Sequence, residues 1–147
     1  MKTVQRSALV MHSDQSMFDL VNDVASYPTF MEGCQATEVF EQTEHQMVAR
    51  LDLKKGGVKT SFMTRNKLQA PSVIEMSLED GPFKSFKGVW SFKPLTPNAC
   101  KVSLDLEFEF NSMAVGLAAS KLFSNMANQL VDSLCRRADQ IYGNKND

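Results

Sequence analysis

Histidine and cysteine are scarce in this sequence of 147 residues, which has two histidines and three cysteines. Cys34, Cys100 and Cys135 are odd in number and far apart, and no C-x-x-C pair occurs. This spacing excludes a zinc ribbon and a thioredoxin-type motif, and it indicates reduced thiols in a reducing compartment. Neither His12 nor His45 has a cysteine or carboxylate at metal-ligand spacing, so we expect no metal site.

Catalytic signatures and long apolar runs are also absent. The sequence has no G-x-S-x-G, H-E-x-x-H, P-loop or dinucleotide-binding glycine motif. Cys34 has no predictable base, so we interpret it as an inert thiol and expect no catalytic residue. No apolar run approaches the roughly 18 residues that cross a membrane, and the N-terminus does not resemble a signal peptide. The net charge of −1 gives no general attraction to DNA or to an anionic membrane.

The sequence does contain a long stretch of alternating apolar and polar residues between two helical patterns. A strand is predicted at 3–10 and an amphipathic helix at 14–25, with Ser13 as its cap. From about 36 to 110 the period changes to two over about six runs, which are separated by glycine- or proline-containing turns. Such alternation is typical of an antiparallel sheet with one buried face.

The last part of the sequence returns to helical spacing. Apolar residues recur at steps of three and four over 112–142, which predicts one long helix with Ser112 at its start and Gly143 as its C-terminal cap. The fold class is therefore α+β, with a seven-stranded antiparallel sheet wrapped around a long C-terminal helix. We expect one domain over 1–147, with a flexible tail at 143–147.

The loop 26-SYPTFMEGC-34 is unusually apolar for a connection, since loops are mostly polar and exposed. It follows the first helix, so it should lie at one end of the gap between sheet and long helix. We expect Tyr27, Phe30 and Met31 to close that end as a lid.

A single helix cannot fill a strongly curved sheet completely, so the gap holds either a bulky core or a cavity. A filled core is the simpler interpretation, and a lipid- or polyketide-sized pocket is the alternative. Nine Met and ten Phe residues favour an adaptable apolar lining. The alternating faces of the strands and one face of the helix supply the predicted lining: Phe62, Met76, Trp90, Phe92, Leu104, Phe108, Leu117, Phe123, Leu130 and Leu134.

Two short motifs carry a resemblance to a known family over about Val4 to Tyr142. The first is Tyr27-Pro28-x-Phe30 with Gly33-Cys34 after it, and the second is Gly81-Pro82-Phe83 followed by Gly88-x-Trp90-x-Phe92. With this order of elements, the chain resembles the helix-grip, START-like (Bet v-like) superfamily. Within it, the chain is similar to the coenzyme Q-binding and polyketide cyclase/dehydrase branch, which includes the RatA-like ribosome association toxins. Glu32 stands where the family usually has proline, and Met31 where it often has Leu or Val.

The resemblance implies non-enzymatic binding of a long-chain quinone such as ubiquinone, in support of respiration, with no cofactor required. It also implies association with the large ribosomal subunit, and it suggests that an antitoxin is a further partner. A cytoplasmic protein, peripheral to the inner membrane, would fit these roles. The alternative is a polyketide cyclase or dehydratase that works in the same cavity and needs inward-facing titratable groups. Glu32 could bond a quinone oxygen if it were protonated, but we expect it to be in water.

A cluster of lysines on one predicted hairpin is the only sequence feature that suggests a ribosome contact. Lys54, Lys55 and Lys59 lie on either side of Gly56-Gly57. They either form a solvated edge with cross-strand acidic partners or dock on RNA phosphates.

Overall fold

Two α-helices and seven strands make up the computed structural model, which describes residues 2–111 and 117–143. The strands are β1 (Lys2–Val10), β2 (Cys34–Gln42), β3 (Gln46–Lys55), β4 (Val58–Gln69), β5 (Val73–Asp80), β6 (Phe83–Thr96) and β7 (Ala99–Phe110). The helices are α1 (Asp14–Asn22) and α2 (Leu117–Tyr142), and a 3₁₀ helix (Val24–Thr29) follows α1.

The strands form one antiparallel sheet in the order β1-β7-β6-β5-β4-β3-β2. Every strand from β2 to β7 pairs with its neighbour in the chain, while β1 returns to pair with β7. Bulges interrupt the register of β2, β5 and β6. Because a bulge bends its strand and increases the local twist, the sheet curves, and α2 packs against β1, β3, β4 and β7. The predicted seven-stranded α+β arrangement is confirmed.

The first helix is shorter than predicted. Ser13 caps it as expected, since its Oγ accepts a hydrogen bond from the backbone N–H of Ser16 at 3.1 Å. The α-helix ends at Asn22 and not at 25, because Asp23 leaves helical geometry with ψ at 66°. The chain then forms a 3₁₀ helix that contains Tyr27 and Pro28. The apolar segment predicted as a loop is therefore partly helical.

The C-terminal helix is confirmed from Leu117 to Tyr142. The predicted start at 112, with its Ser112 cap, and the tail at 144–147 lie outside the described residues. Gly143 has a φ of +84° and donates its backbone N–H to the carbonyl of Asp139 at 3.1 Å. Glycine adopts this left-handed conformation without strain from a side chain, so it ends the helix as predicted.

An aromatic cluster fills one end of the space between the sheet and α2. Phe123 of α2 lies with its ring centroid 4.8 Å from that of Phe108 and 5.0 Å from that of Phe83. Phe62 and Phe86 also contact this cluster. Edge-to-face pairs of this kind stabilise beyond the area they bury, so this end of the sheet is solid.

Candidate functional site

An apolar cavity of about 90 Å³ lies between the concave face of the sheet and α2. The 3₁₀ helix and the end of α1 close it on one side. An apolar cavity of about 150 Å³ holds a benzene molecule. The cavity in this protein is smaller, so as it stands it accepts only a small apolar group. A long chain needs the walls to move, and methionine side chains are flexible enough to do so.

Most of the predicted lining residues meet in this cavity. The predicted positions found there are Tyr27, Met31, Phe62, Met76, Trp90, Leu104, Phe123 and Leu130. The sequence interpretation missed others from the same inward faces, including Val21, Ala49, Leu51, Leu53, Ile74, Met126 and Ala127. For Ala49, Leu51 and Leu53 the sequence signal was present, since all three lie on one alternating apolar face of β3.

Three predicted residues lie beyond the ends of the cavity. Phe108 belongs to the aromatic cluster, and Phe92 packs edge-to-face against Phe18 of α1 with centroids 5.6 Å apart. Leu134 is fully buried in the core farther along α2. Alternation identifies the inward face of an element, but it does not locate the gap along its length. These residues are core in this structure and not lining.

Leu117 does not face the sheet, so that expectation is wrong. Its side chain is 72% exposed. Leu117 is the first residue of α2 as described, and the buried residues of this helix begin more than one turn later, at Leu122 and Phe123. Helical spacing identifies a face of the helix, but it does not show how far along its length the sheet covers that face.

The predicted lid divides into an inner and an outer part. Tyr27 is buried, and its hydroxyl donates a hydrogen bond to the carbonyl of Val21, which anchors the 3₁₀ helix to α1. Burial raises the pKa of the Tyr27 hydroxyl, so it stays neutral. Phe30 is half-buried outside the cavity, where it packs on Tyr27 and under the guanidinium of Arg137 at 5.4 Å.

Two methionines separate the cavity from a polar pocket on the outside. Met31 and Met126 line both spaces. Gly33 makes room for Met126, because a Cβ at that position would lie 2.9 Å from its Sδ. Next to Met31, Glu32 forms an ion pair with Lys55 of β3 at 2.8 Å. We call Met31, Met126 and the Glu32–Lys55 pair the mouth.

The ion pair bears on two expectations about the mouth. The hydrogen bond from Lys55 lowers the pKa of Glu32, so this carboxyl is ionised and cannot donate to a quinone oxygen. Lys55 has an acidic partner, while Lys54 and Lys59 lie directly opposite each other in the β3–β4 register. That juxtaposition concentrates positive charge at the tip of the hairpin.

Polar groups in the cavity wall were not predicted. Thr64 and Asn66 lie on the inward face of β4, and Asn22 lies at the end of α1. The signal was present, since both β4 residues occupy the apolar phase of an alternating strand. In the described part of the chain, the Oδ1 atoms of Asn22 and Asn66 are buried without a hydrogen-bond partner.

The cysteines and histidines play no visible part in this site. Burial raises the pKa of Cys34 to about 11, so it remains a thiol at neutral pH. His12 is buried with its Nε2 2.7 Å from Asp139 Oδ1, which ties the end of β1 to α2. Within residues 2–111 and 117–143, no group of three potential metal ligands comes together.

Similarity to known proteins defines the family of this chain. A family model described as polyketide cyclase / dehydrase and lipid transport matches residues 10–135. This chain belongs to that family. Within the family it resembles the ribosome association toxin RatA of Vibrio cholerae, with 50% identity over 97% of this chain and 99% of that protein. The predicted likeness to RatA-like proteins is confirmed.

A more distant relative is the mitochondrial coenzyme Q-binding protein of Drosophila melanogaster. It is 27% identical over 93% of this chain and 55% of its own length. The name of the Drosophila protein says what that protein binds. The name of the Vibrio toxin says that the toxin associates with the ribosome.

Solved structures of similar proteins support the fold. A START superfamily protein from Mycobacterium smegmatis superposes with a TM-score of 0.77 at 23% identity, over 95% of this chain and 98% of that one. The ZhuI aromatase/cyclase from a Streptomyces species gives 0.68 at 20% identity, over 97% and 88% of the two chains. The predicted helix-grip fold is confirmed. No helix in the described ranges is long and apolar enough to cross a membrane.

Proposed function

We propose that this protein binds a long-chain quinone, or a similar neutral lipid, without transforming it. The observation that carries the proposal is the apolar cavity behind two flexible methionines. The likeness to a coenzyme Q-binding protein supports a quinone as the ligand. Each CH₂ that an isoprenoid tail buries contributes about 0.8 kcal/mol, so tail length should govern affinity more than the ring does.

The wall of the cavity favours binding over catalysis. Of the described residues that line it, Tyr27 is the one with a titratable side chain. Its hydroxyl is already bonded to the carbonyl of Val21, and its raised pKa makes it a poor proton donor or acceptor at neutral pH. A cyclase or dehydratase needs an acid or base within reach of the substrate. Turnover of a polyketide substrate that disappears in Tyr27→Phe would overturn the proposal.

Mass spectrometry of lipids extracted from protein purified without detergent tests the ligand. Leu130 lines the cavity, so Leu130→Asp should abolish co-purified quinone by placing a charge in an apolar wall. Leu117→Asp is the matched control on the same helix, because Leu117 is 72% exposed. Protein that carries no lipid and takes up no ubiquinone when it is offered would contradict the proposal. Such binding suits a cytoplasmic protein that associates peripherally with the inner membrane to exchange its ligand.

A second proposed function is association with the large ribosomal subunit through the β3–β4 hairpin, which the 50% identity to RatA supports. Lys54 and Lys59 face each other with like charge at the hairpin end, which suits a phosphate-rich partner. An antitoxin partner belongs to this proposal as well, and binding to the purified antitoxin of a RatA relative would test it.

Sedimentation of lysates at low salt tests the ribosome contact. The double variant Lys54→Glu with Lys59→Glu should move the protein from ribosomal particles to the free fraction. Lys93 and Lys101 form another directly opposed lysine pair, on β6 and β7, and both are exposed. Reversing their charge is therefore the matched control. Equal loss in both double variants would indicate a general charge effect and not a contact at the hairpin.

A further inference from the structure

One buried amide oxygen in the cavity wall lacks a hydrogen-bonding partner among the described residues. Asn66 lies on the concave face of β4, opposite Met47 of β3 and Met76 of β5. Its side chain belongs to the cavity wall and the residue is 7% exposed. Its Oδ1 has no partner among the residues that the structure describes. An unpaired buried polar atom destabilises a protein, so its presence in an apolar wall points to a ligand.

Two further polar groups share that wall. Thr64 precedes Asn66 on the same face of β4 and is 4% exposed. Asn22, at the end of α1, also lines the cavity, and its buried Oδ1 lacks a partner in the described part of the chain. We call these three residues the polar pole. The other described lining side chains are apolar apart from the already bonded Tyr27.

The chemistry of the polar pole selects one kind of headgroup. A carboxamide offers an acceptor oxygen and two N–H donors, and a hydroxyl can do either. The unpaired Oδ1 atoms of Asn66 and Asn22 can accept a hydrogen bond from a ligand hydroxyl as they stand. A 180° rotation of either carboxamide turns its N–H donors toward a carbonyl oxygen of a ligand. No Lys, Arg or His lines the cavity among the described residues, so a carboxylate would be buried without a counter-charge at a large desolvation cost.

We propose that Asn66, with Thr64 and Asn22, is the hydrogen-bonding site for a neutral oxygen at one end of an otherwise apolar ligand. The cavity then accepts neutral ketones, quinones and alcohols and rejects fatty-acid anions. This inference rests on the proposed binding function and defines the ligand class within it.

The test uses three probes with the same carbon count: hexanophenone, hexylbenzene and 6-phenylhexanoate. The first two differ only by a carbonyl in place of a methylene. Trp90 reports binding, because it is the single tryptophan of the chain, is 2% exposed and lines the cavity. Titrations follow its emission in the wild type, in Asn66→Leu and in Asn98→Leu, the control at an exposed loop position.

The expected result is a change in selectivity and not a general loss of binding. Asn66→Leu should lower the ratio of hexanophenone to hexylbenzene affinity by roughly tenfold, as expected for loss of a buried hydrogen bond. Asn98→Leu should leave the ratio unchanged, and 6-phenylhexanoate should bind none of the three proteins measurably. An unchanged ratio in Asn66→Leu, or tight binding of the carboxylate, would overturn the inference and leave the binding function intact. If the wild type binds none of the probes and no quinone, the binding function itself fails.

A second measurement does not depend on the variant folding. The carbonyl stretching frequency of hexanophenone bound to the wild type should fall below its value in heptane, because a hydrogen bond weakens the C=O bond. A frequency equal to that in heptane would show an unbonded carbonyl and overturn the inference. Asn66→Leu should also melt at or above the wild-type temperature, since it removes the unpaired amide oxygen.

Discussion

Filling the cavity from α2 should stabilise the empty protein. Ala127 is 5% exposed and lines the cavity, so Ala127→Leu directs an isobutyl group into it. Empty space in a core costs about 24 cal/mol per Å³, so filling all of the 90 Å³ would contribute at most about 2 kcal/mol. Alanine and leucine have similar helix propensities, so the helix itself contributes little to the difference.

The assay is thermal unfolding of ligand-free protein followed by circular dichroism. For a domain of this size, about 2 kcal/mol corresponds to an increase in Tm of roughly 4–8 °C as an upper limit. Ala138→Leu is the matched control, because Ala138 is fully buried on the same helix but lies outside the cavity. Overpacking there should cost about 1–3 kcal/mol.

The comparison of the two variants decides whether the gap is real. If Ala127→Leu lowers Tm as much as Ala138→Leu does, the space is already filled and the solid-core interpretation holds. If Ala127→Leu raises Tm and also reduces quinone uptake, the same volume serves the ligand. A rise in Tm with unchanged uptake would place the ligand elsewhere.

Three further perturbations test the surroundings of the cavity. Gly81→Ala should destabilise the protein by about 1–3 kcal/mol in urea unfolding, because φ is +151° and a Cβ would lie 2.9 Å from Phe62 Cβ. Stability of the wild type should fall as pH rises above the ordinary tyrosine pKa of 10.0, because the pKa of Tyr27 is raised in the folded state; Tyr27→Phe should reduce this slope, and an equal slope would refute the assignment. Glu32→Gln should speed ligand release at pH 7, measured by stopped-flow tryptophan emission, because it removes the ion pair with Lys55. Acidification to a pH below the lowered pKa of Glu32 should do the same to the wild type, because the ion pair requires an ionised carboxylate. Identical release rates would show that the pair does not hold the mouth.

The fold was predictable because its strands alternate strictly. Val102, Leu104, Leu106 and Phe108 of β7 are all buried, as a two-residue period requires. The partner of β1 was not predictable from periodicity, because pairing with a distant strand leaves no local pattern. The number of strands was predicted, whereas the pairing of β1 with β7 is a finding of the structure.

The sequence predicted which face of each strand lines the candidate site, but it did not predict which residues along that face border the cavity. Phe92 and Trp90 occupy the same face of β6, yet Trp90 lines the cavity and Phe92 fills its end. Which of them meets empty space depends on the packing of α1 and α2 and not on either residue. Asn66 was missed for a different reason. The lining was predicted from apolar residues at alternate positions of the strands, and Asn66 is a polar residue at one of those positions.

The pairing of the first strand with the last determines when this chain can fold during synthesis. Lys2 lies opposite Phe108 in the sheet, so β1 leaves the ribosome long before its partner exists. The strands β2 to β7 can pair with their neighbours as they appear, but their apolar inner face has no cover until α2 follows. Pairings over such sequence separations form slowly, and a sheet that waits with exposed aromatic residues is prone to aggregate. A nascent chain stalled before α2 should therefore be a substrate for chaperones, while the released chain should not.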